Sequence, residues 1–290
     1  MIAHGRPQIL REGPMSASPA PQPPPRPGLD TTSPNIARVY DYWLGGKDNF
    51  PADREEAERL IAMFPPLPGH VRGNRLFLAR AVTWLAEQGV RQFLDIGSGL
   101  PTSQNTHQVA QAIDPSCRVV YVDSDPVVVM HASTLLAGTG VEAVEADLAD
   151  PADLLARPAV RRLIRPDEPT GLILAMVLHF FDAGEAARIM AALTGWLAPG
   201  SYVVISVGSG DEETAGAIAR EYRPGNLRSY SKEQMAALFA GLELVPPGLT
   251  DSRLWMPGTP DGKPPVERGA YILAGVGHKP GSSGRRRPTA

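Results

Sequence analysis

The sequence predicts an α/β protein in which a mostly parallel sheet carries helices on both faces. Three observations predict it. Strand-like and helix-like stretches alternate from residue 71 to residue 278, the order that builds parallel sheets with right-handed crossovers. The run Leu172–Leu178 is continuously apolar, as strands covered on both faces are, and Tyr202–Val207, broken only by Ser206, reads as another buried strand. The turn Asp95-Ile96-Gly97-Ser98-Gly99 links a strand-like run to a helix-like one, as at the first βα crossover of sheets that bind nucleoside cofactors.

The elements follow in order. Val71 to Glu87 places Leu78, Val82 and Leu85 at helical spacing and stops at Gly89. Phe93 to Ile96 is the first strand. A helix from Thr102 to Ile113 ends at Asp114-Pro115. Val119 to Val122 is a strand closed by Asp123, and a helix runs through Val127 to Leu136 before Gly138. Val141 to Ala146 is a short strand ending in Asp147, and Ala152 to Ile164 reads as helix. After the buried run at Leu172–Leu178, Asp182 and Glu185 stand at capping-box spacing and open a helix to Leu197, stopped by Pro199-Gly200. Tyr202–Val207 is the next strand. Ser231 and Gln234 repeat the capping box before a helix to Phe239. Two late strands, Leu242 to Val245 and Ala270 to Val276, read as a terminal antiparallel pair.

Composition narrows the class. A content of 43% hydrophobic and 20% charged residues over 290 positions is enough for a sizeable core. The net charge of -3 gives no field that favours nucleic acid or an anionic membrane. The single cysteine, Cys117, cannot form an internal disulfide and points to a reducing compartment, the cytoplasm. No apolar run is long enough to span a bilayer. Residues 1–33 are rich in proline and read as a disordered tail of polyproline character, within which Met15 is a second candidate start. Residues 279–290, with Arg285-Arg286-Arg287, read as a second, basic tail. Between them, residues 34–70 form an N-terminal segment and residues 71–278 the core.

The chemistry gathers at strand ends. Gly97 and Gly99 let the backbone turn sharply and approach a ligand. Thr102 stands where the third glycine of a dinucleotide turn belongs, which argues against a pyrophosphate. Asp123 lies at the distance where a carboxylate accepts ribose hydroxyls, and Asp95 and Asp147 end two further strands. A crevice lined by carboxylates repels pyrophosphate and suits a ligand with a ribose and positive charge, such as S-adenosylmethionine.

One string is highly specific: Pro34-Asn35-Ile36-Ala37-Arg38-Val39-Tyr40-Asp41-Tyr42-Trp43-Leu44-Gly45-Gly46-Lys47-Asp48-Asn49-Phe50. It resembles the N-terminal signature of the actinobacterial S-adenosylmethionine-dependent methyltransferases once grouped as DUF574. Gly97-Ser98-Gly99-Leu100-Pro101-Thr102 and Val119-Val120-Tyr121-Val122-Asp123-Ser124-Asp125-Pro126 look like the family's next signatures, with Ser124 in place of an expected asparagine. The resemblance covers roughly Ser33 to Lys279. It implies a Rossmann-like class I methyltransferase fold, with a seven-stranded mostly parallel sheet and an antiparallel last strand. It also implies roles. Asp95 and Gly97 would hold the methionyl part of the cofactor and Asp123, beside Ser124, the ribose. Asp147 and the Leu148 backbone would take the adenine. Met176 to His179 would line the methyl-transfer cavity.

Leu44-Gly45-Gly46-Lys47 is not a phosphate loop, because Asp48 replaces the magnesium-binding hydroxyl and no upstream glycine fits. With Tyr40, Tyr42, Trp43 and Phe50, the segment reads instead as an aromatic lid that excludes water and faces a sulfonium. His179, at a strand end, is the candidate general base. Tyr222, Arg223, Asn226, Arg228 and Tyr230 are candidates for a substrate wall. No His/Cys cluster has zinc spacing, and no carboxylate pair supports a magnesium mechanism. The expected activity is methyl transfer to a small-molecule acceptor. Two rivals stay open: a cofactor-binding regulator without turnover, and a nicotinamide-dependent oxidoreductase using NAD.

Overall fold

The computed structural model describes residues 29–135, 138, 140–259 and 269–281. The prolines at 23–27, Met15 and the arginines at 285–287 lie outside them. The unit that starts at Thr31 opens with three helices, α1 (Ile36–Leu44), α2 (Pro51–Met63) and α3 (Leu67–Glu87). The alternating core follows as β1 (Gln92–Ile96), α4 (Thr106–Ile113), β2 (Arg118–Asp123), α5 (Pro126–Leu135), β3 (Val141–Glu145), α6 (Pro151–Ala156), α7 (Pro158–Leu163), β4 (Gly171–Ala175), α8 (Ala183–Trp196) and β5 (Tyr202–Gly210). The chain ends with α9 (Ala217–Glu221), α10 (Lys232–Ala237), β6 (Glu243–Leu244), β7 (Thr250–Asp251) and β8 (Ala270–His278).

The sheet order is β3-β2-β1-β4-β5-β8-β6, with β7 paired to β8. The first five strands in that order are parallel, and β8 runs antiparallel to β5, β6 and β7. The chain moves outward from β1 to β3, then returns to place β4 on the other side of β1. The crevice at the carboxyl ends of β1 and β4 is therefore the switch point where such sheets bind ligands.

Strand periodicity builds two cores. Leu94 and Ile96 of β1, Val120 and Val122 of β2, and Leu172 and Leu174 of β4 pack on one face with Leu154, Ile189 and Leu193. Phe93, Val119, Tyr121 and Ile173 alternate onto the other face, against Phe77, Leu85 and Ala110. A third cluster joins Val39, Trp43, Ala57, Leu60 and Val71 to Ile218 and Tyr222, so the N-terminal segment packs on the core rather than hanging from it.

The signature string has a structural logic. The Asn35 side chain caps α1, accepting from the Ala37 and Arg38 N–H groups. Arg38 Nε donates to Asp53 Oδ2 at 2.7 Å with both side chains buried. Asp53 also accepts the N–H groups of Asn35 and Phe50, clamping the start of α2 to the start of α1. Asp41 Oδ2 accepts from the Asp48 N–H and Asn49 Nδ2, which folds the Gly-Gly-Lys-Asp loop back on α1. A Cβ on Gly46 would lie 1.9 Å from Asp41 Oδ1, so that glycine is demanded by packing.

Several boundaries move for physical reasons. The sheet among the described residues has eight strands rather than seven; the addition, β7, is two residues long, too short to show a period. The expected helix from Ala152 to Ile164 is two helices, because Pro158 holds Arg157 in an extended conformation. The helix expected from Thr102 starts at Thr106, since Asn105 and Gln108 form the capping box and residues 102–105 turn ahead of it. Helix α3 starts four residues early, because a proline is tolerated in its first turn. The apolar run at 172–178 leaves the sheet after Ala175: Met176 adopts φ 58° and a 3-10 turn covers Leu178–Phe180. No helix among the described residues is long and apolar enough to cross a membrane.

Candidate active site

A cavity of about 310 Å³ opens at the switch point. Its floor comes from the carboxyl ends of β1, β2 and β4 and from the loop after β3. Every expected site residue lines it: Asp95, Gly97 and Gly99; Asp123 and Ser124; Asp147 and Leu148; Met176 and His179; and Tyr40 from above. Asn35 and Asp41 of the N-terminal segment and Asn74 and Arg75 of α3 line it as well.

The glycine turn is stitched to its neighbour strand. Gly97 and Ser98 donate their N–H groups to the Val122 carbonyl at 2.8 and 3.2 Å, and Gly99 donates to Asp123 Oδ2 at 2.9 Å. The N–H groups that a pyrophosphate-binding turn would present are thus consumed internally, and α4 begins only at Thr106. Gly97 has φ +69°, and a Cβ there would lie 2.7 Å from Val177 Cγ2. Only glycine fits this turn.

Negative charge concentrates on the floor. Asp123 Oδ1 accepts the Asp125 N–H, and burial raises the Asp123 carboxyl above its ordinary pKa against the pull of those hydrogen bonds. Asp95 is buried and accepts from Thr106 Oγ1 at 2.6 Å; burial pushes its pKa up to about 6, with the Asp123 charge adding and Arg75 opposing. Asp147 is exposed and accepts the Ala149 N–H, while Leu148 beside it is buried. Asp41, in the roof, is also raised by burial.

The roof carries a polar atom without a partner. Asn74 Nδ2 donates to the Tyr40 hydroxyl at 3.1 Å, but Asn74 Oδ1, buried in the cavity wall, accepts nothing. With three carboxylates opposite, the cavity is built for a donor-rich, positively charged ligand. S-adenosylmethionine meets that demand with its ammonium, sulfonium, ribose hydroxyls and adenine amine. A pyrophosphate meets none of it.

His179 differs from its expected character. It is buried, its Nδ1 accepts the Gly208 N–H at 3.1 Å, and burial pushes its pKa down to about 3. It is therefore a neutral imidazole at physiological pH with the proton on Nε2, poorly suited to general-base work. Met176, three residues earlier, holds a left-handed backbone rare for its type, a strain found at working sites. The expected substrate wall divides. Tyr222 lines the cavity, whereas the Tyr230 hydroxyl donates to the Leu178 and Phe181 carbonyls and Arg223 turns to Glu56.

Asn74 and Arg75 escaped sequence reasoning. Asn74 did carry a signal: it is a polar residue on the apolar stripe of α3 between Val71 and Leu78. Asn35 signalled only an N-cap, yet its Nδ2 also donates to Asp125 Oδ2 at 2.8 Å, tying the N-terminal segment to the loop after Asp123.

A sheet of this order with an acidic, pyrophosphate-averse crevice at its switch point has class I methyltransferase architecture. The chain belongs to the S-adenosyl methyltransferase family, whose sequence profile matches residues 22–280. It is similar to a protein of Thermobifida fusca YX assigned as a methyltransferase, at 40% identity over 88% of this chain and 98% of that one, with a TM-score of 0.80. It is also similar to a DUF574 family protein from Streptomyces avermitilis MA-4680, at 39% identity over 87% of this chain and 99% of that one, with a TM-score of 0.79. No curated protein matches it.

Proposed function

We propose that this cytoplasmic enzyme transfers the methyl group of S-adenosylmethionine to a small-molecule acceptor, and that the cavity at the switch point is where the cofactor is held. The observation that carries the reading is the set of strand-end carboxylates, Asp95, Asp123 and Asp147, around one cavity whose turn N–H groups are already spent. When bound, the cofactor supplies an electrophilic methyl group on a sulfonium. The protein's part is to bind, orient and exclude water. Asp95 and Asn74 would hold the methionyl end, Asp123 the ribose, and Asp147 with Leu148 the adenine. Tyr40, Asn35 and Asp41 close the roof, so residues 34–70 act as the lid over the reacting centre. His179 acts as a neutral positioning group beside that centre.

Calorimetric titration with S-adenosylmethionine, S-adenosylhomocysteine and NAD tests the reading. Binding of the first two and not the third is expected. Binding of NAD alone overturns it.

Asp123→Ala is expected to weaken S-adenosylhomocysteine binding by about 1–3 kcal/mol, from lost charge-assisted hydrogen bonds and a loosened Gly99. Asp123→Asn keeps an acceptor for the Gly99 N–H and should lose less. Equal affinity in all three proteins would remove Asp123 from the site.

Asp95 gives the site a pH dependence. A carboxyl with a pKa near 6 is protonated below that pH, and the ammonium at the ligand's methionyl end favours the carboxylate. Affinity for S-adenosylhomocysteine should therefore be full above pH 7 and fall as pH drops through 6, approaching tenfold per pH unit below it. Asp95→Asn should flatten that profile. A wild-type affinity that is level from pH 5 to 8 contradicts the assignment.

A further inference from the structure

A second, smaller cavity of about 90 Å³ lies beside the first and shares Met176, His179 and Tyr222 with it. Its remaining wall comes from the N-terminal segment, α9 and the antiparallel part of the sheet, and it is strongly apolar: Trp43, Phe64, Leu67, Val71, Ile218 and Ile272. No carboxylate and no lysine stand among its described lining residues. The only full charge in the wall is Arg228, an exposed residue whose Nη1 already donates to the Phe180 and Asn226 carbonyls. This is the opposite of the acidic cavity next door, so the two cavities select opposite chemistries.

We infer that the smaller cavity is the acceptor site, and that it takes an uncharged, phenol-like molecule: an apolar body of about one ring with a hydroxyl directed at His179 and Tyr222, where the two cavities meet. The inference rests on the methyltransferase reading of the larger cavity. Three arguments carry it. The volume is below the roughly 150 Å³ of a cavity known to hold benzene, so one ring is the upper limit for the buried part. Trp43, Phe64 and Tyr222 offer aromatic surfaces suited to a ring. An ammonium in this wall would lose its hydration with no carboxylate to replace it, and a carboxylate would find only Arg228, an exposed guanidinium already holding the Phe180 and Asn226 carbonyls. At the polar end, His179 has its Nδ1 occupied by the Gly208 N–H, which leaves Nε2–H to donate to the acceptor's oxygen. As that oxygen bonds the methyl carbon, the sulfonium C–S bond breaks, S-adenosylhomocysteine leaves, and the hydroxyl proton passes to solvent water rather than to His179.

The test uses the full chain saturated with S-adenosylhomocysteine and three one-ring probes: phenol, benzylamine and benzoate. Saturation-transfer NMR titration reads each affinity. Phenol is expected to bind at least tenfold more tightly than either charged probe. Ala219→Phe fills the smaller cavity without lining the larger one; it should cost phenol at least tenfold and leave S-adenosylhomocysteine affinity within twofold. Ala219→Leu gives a milder block should the larger side chain disturb folding, which loss of S-adenosylhomocysteine binding would reveal. Benzylamine or benzoate binding as well as phenol overturns the inference, as does phenol binding that neither substitution weakens. If S-adenosylhomocysteine binds and phenol does not, this inference alone fails. If the wild-type protein binds no S-adenosylhomocysteine, the cofactor reading fails and takes this inference with it.

Discussion

Gly97→Ala is expected to abolish measurable cofactor binding. The residue sits at φ +69°, where a Cβ costs roughly 1–2 kcal/mol from backbone sterics. The added methyl also meets Val177 Cγ2 at 2.7 Å and Val177 Cβ at 2.9 Å. Val177 cannot yield easily, since its Cβ is fixed to the backbone that follows the strained Met176. Overpacking of this kind adds about 1–3 kcal/mol. Relief must come from the turn, which is the surface facing the ligand. The double variant Gly97→Ala/Val177→Ala relieves the closer collision, with Cγ2, and leaves the Cβ contact and the backbone strain. It should recover part of the lost affinity in a calorimetric titration. A single variant that binds S-adenosylhomocysteine like the wild type would mean that the turn does not touch the ligand.

Arg38→Met is expected to cost the most stability of any single change outside the main core. Arg38 and Asp53 form a buried pair, and removing the cation leaves the Asp53 carboxylate buried with only two backbone N–H groups for support. Breaking a buried pair typically costs about 3–5 kcal/mol. In a chain of this size that corresponds to a fall in Tm of roughly 6–20 °C. The loss should reach function, because the same clamp seats Asn35, which lines the cavity and bonds Asp125. Arg162→Ala, which breaks an exposed pair with Glu142, is the control and should leave Tm unmoved. Equal small effects in both variants would show that the clamp is not what holds the N-terminal segment down.

These expectations draw on two kinds of information. The alternating core could be read directly, because strand and helix periods are local and leave their mark on consecutive residues. The same holds for the glycine turn and for Asp95, Asp123 and Asp147, since strand ends follow from strand positions. The signature at 34–50 could be recognised but not explained. Its logic lies in contacts between residues brought together by folding: Asp41 against Gly46, Arg38 against Asp53, Asn35 against Asp125. Elements of two residues, such as β7, carry no period and become visible only through their partner strand.

The residues themselves thus dictated the architecture and the acidic floor of the cavity. Packing settled the rest, because burial and partnership belong to the environment of a side chain and not to its type. Asn74 looked like one polar residue on an apolar stripe; folding made it an unpaired acceptor in the cavity roof. His179 looked like a base suited to neutral pH; burial and the Gly208 N–H made it a neutral donor between two cavities of opposite character.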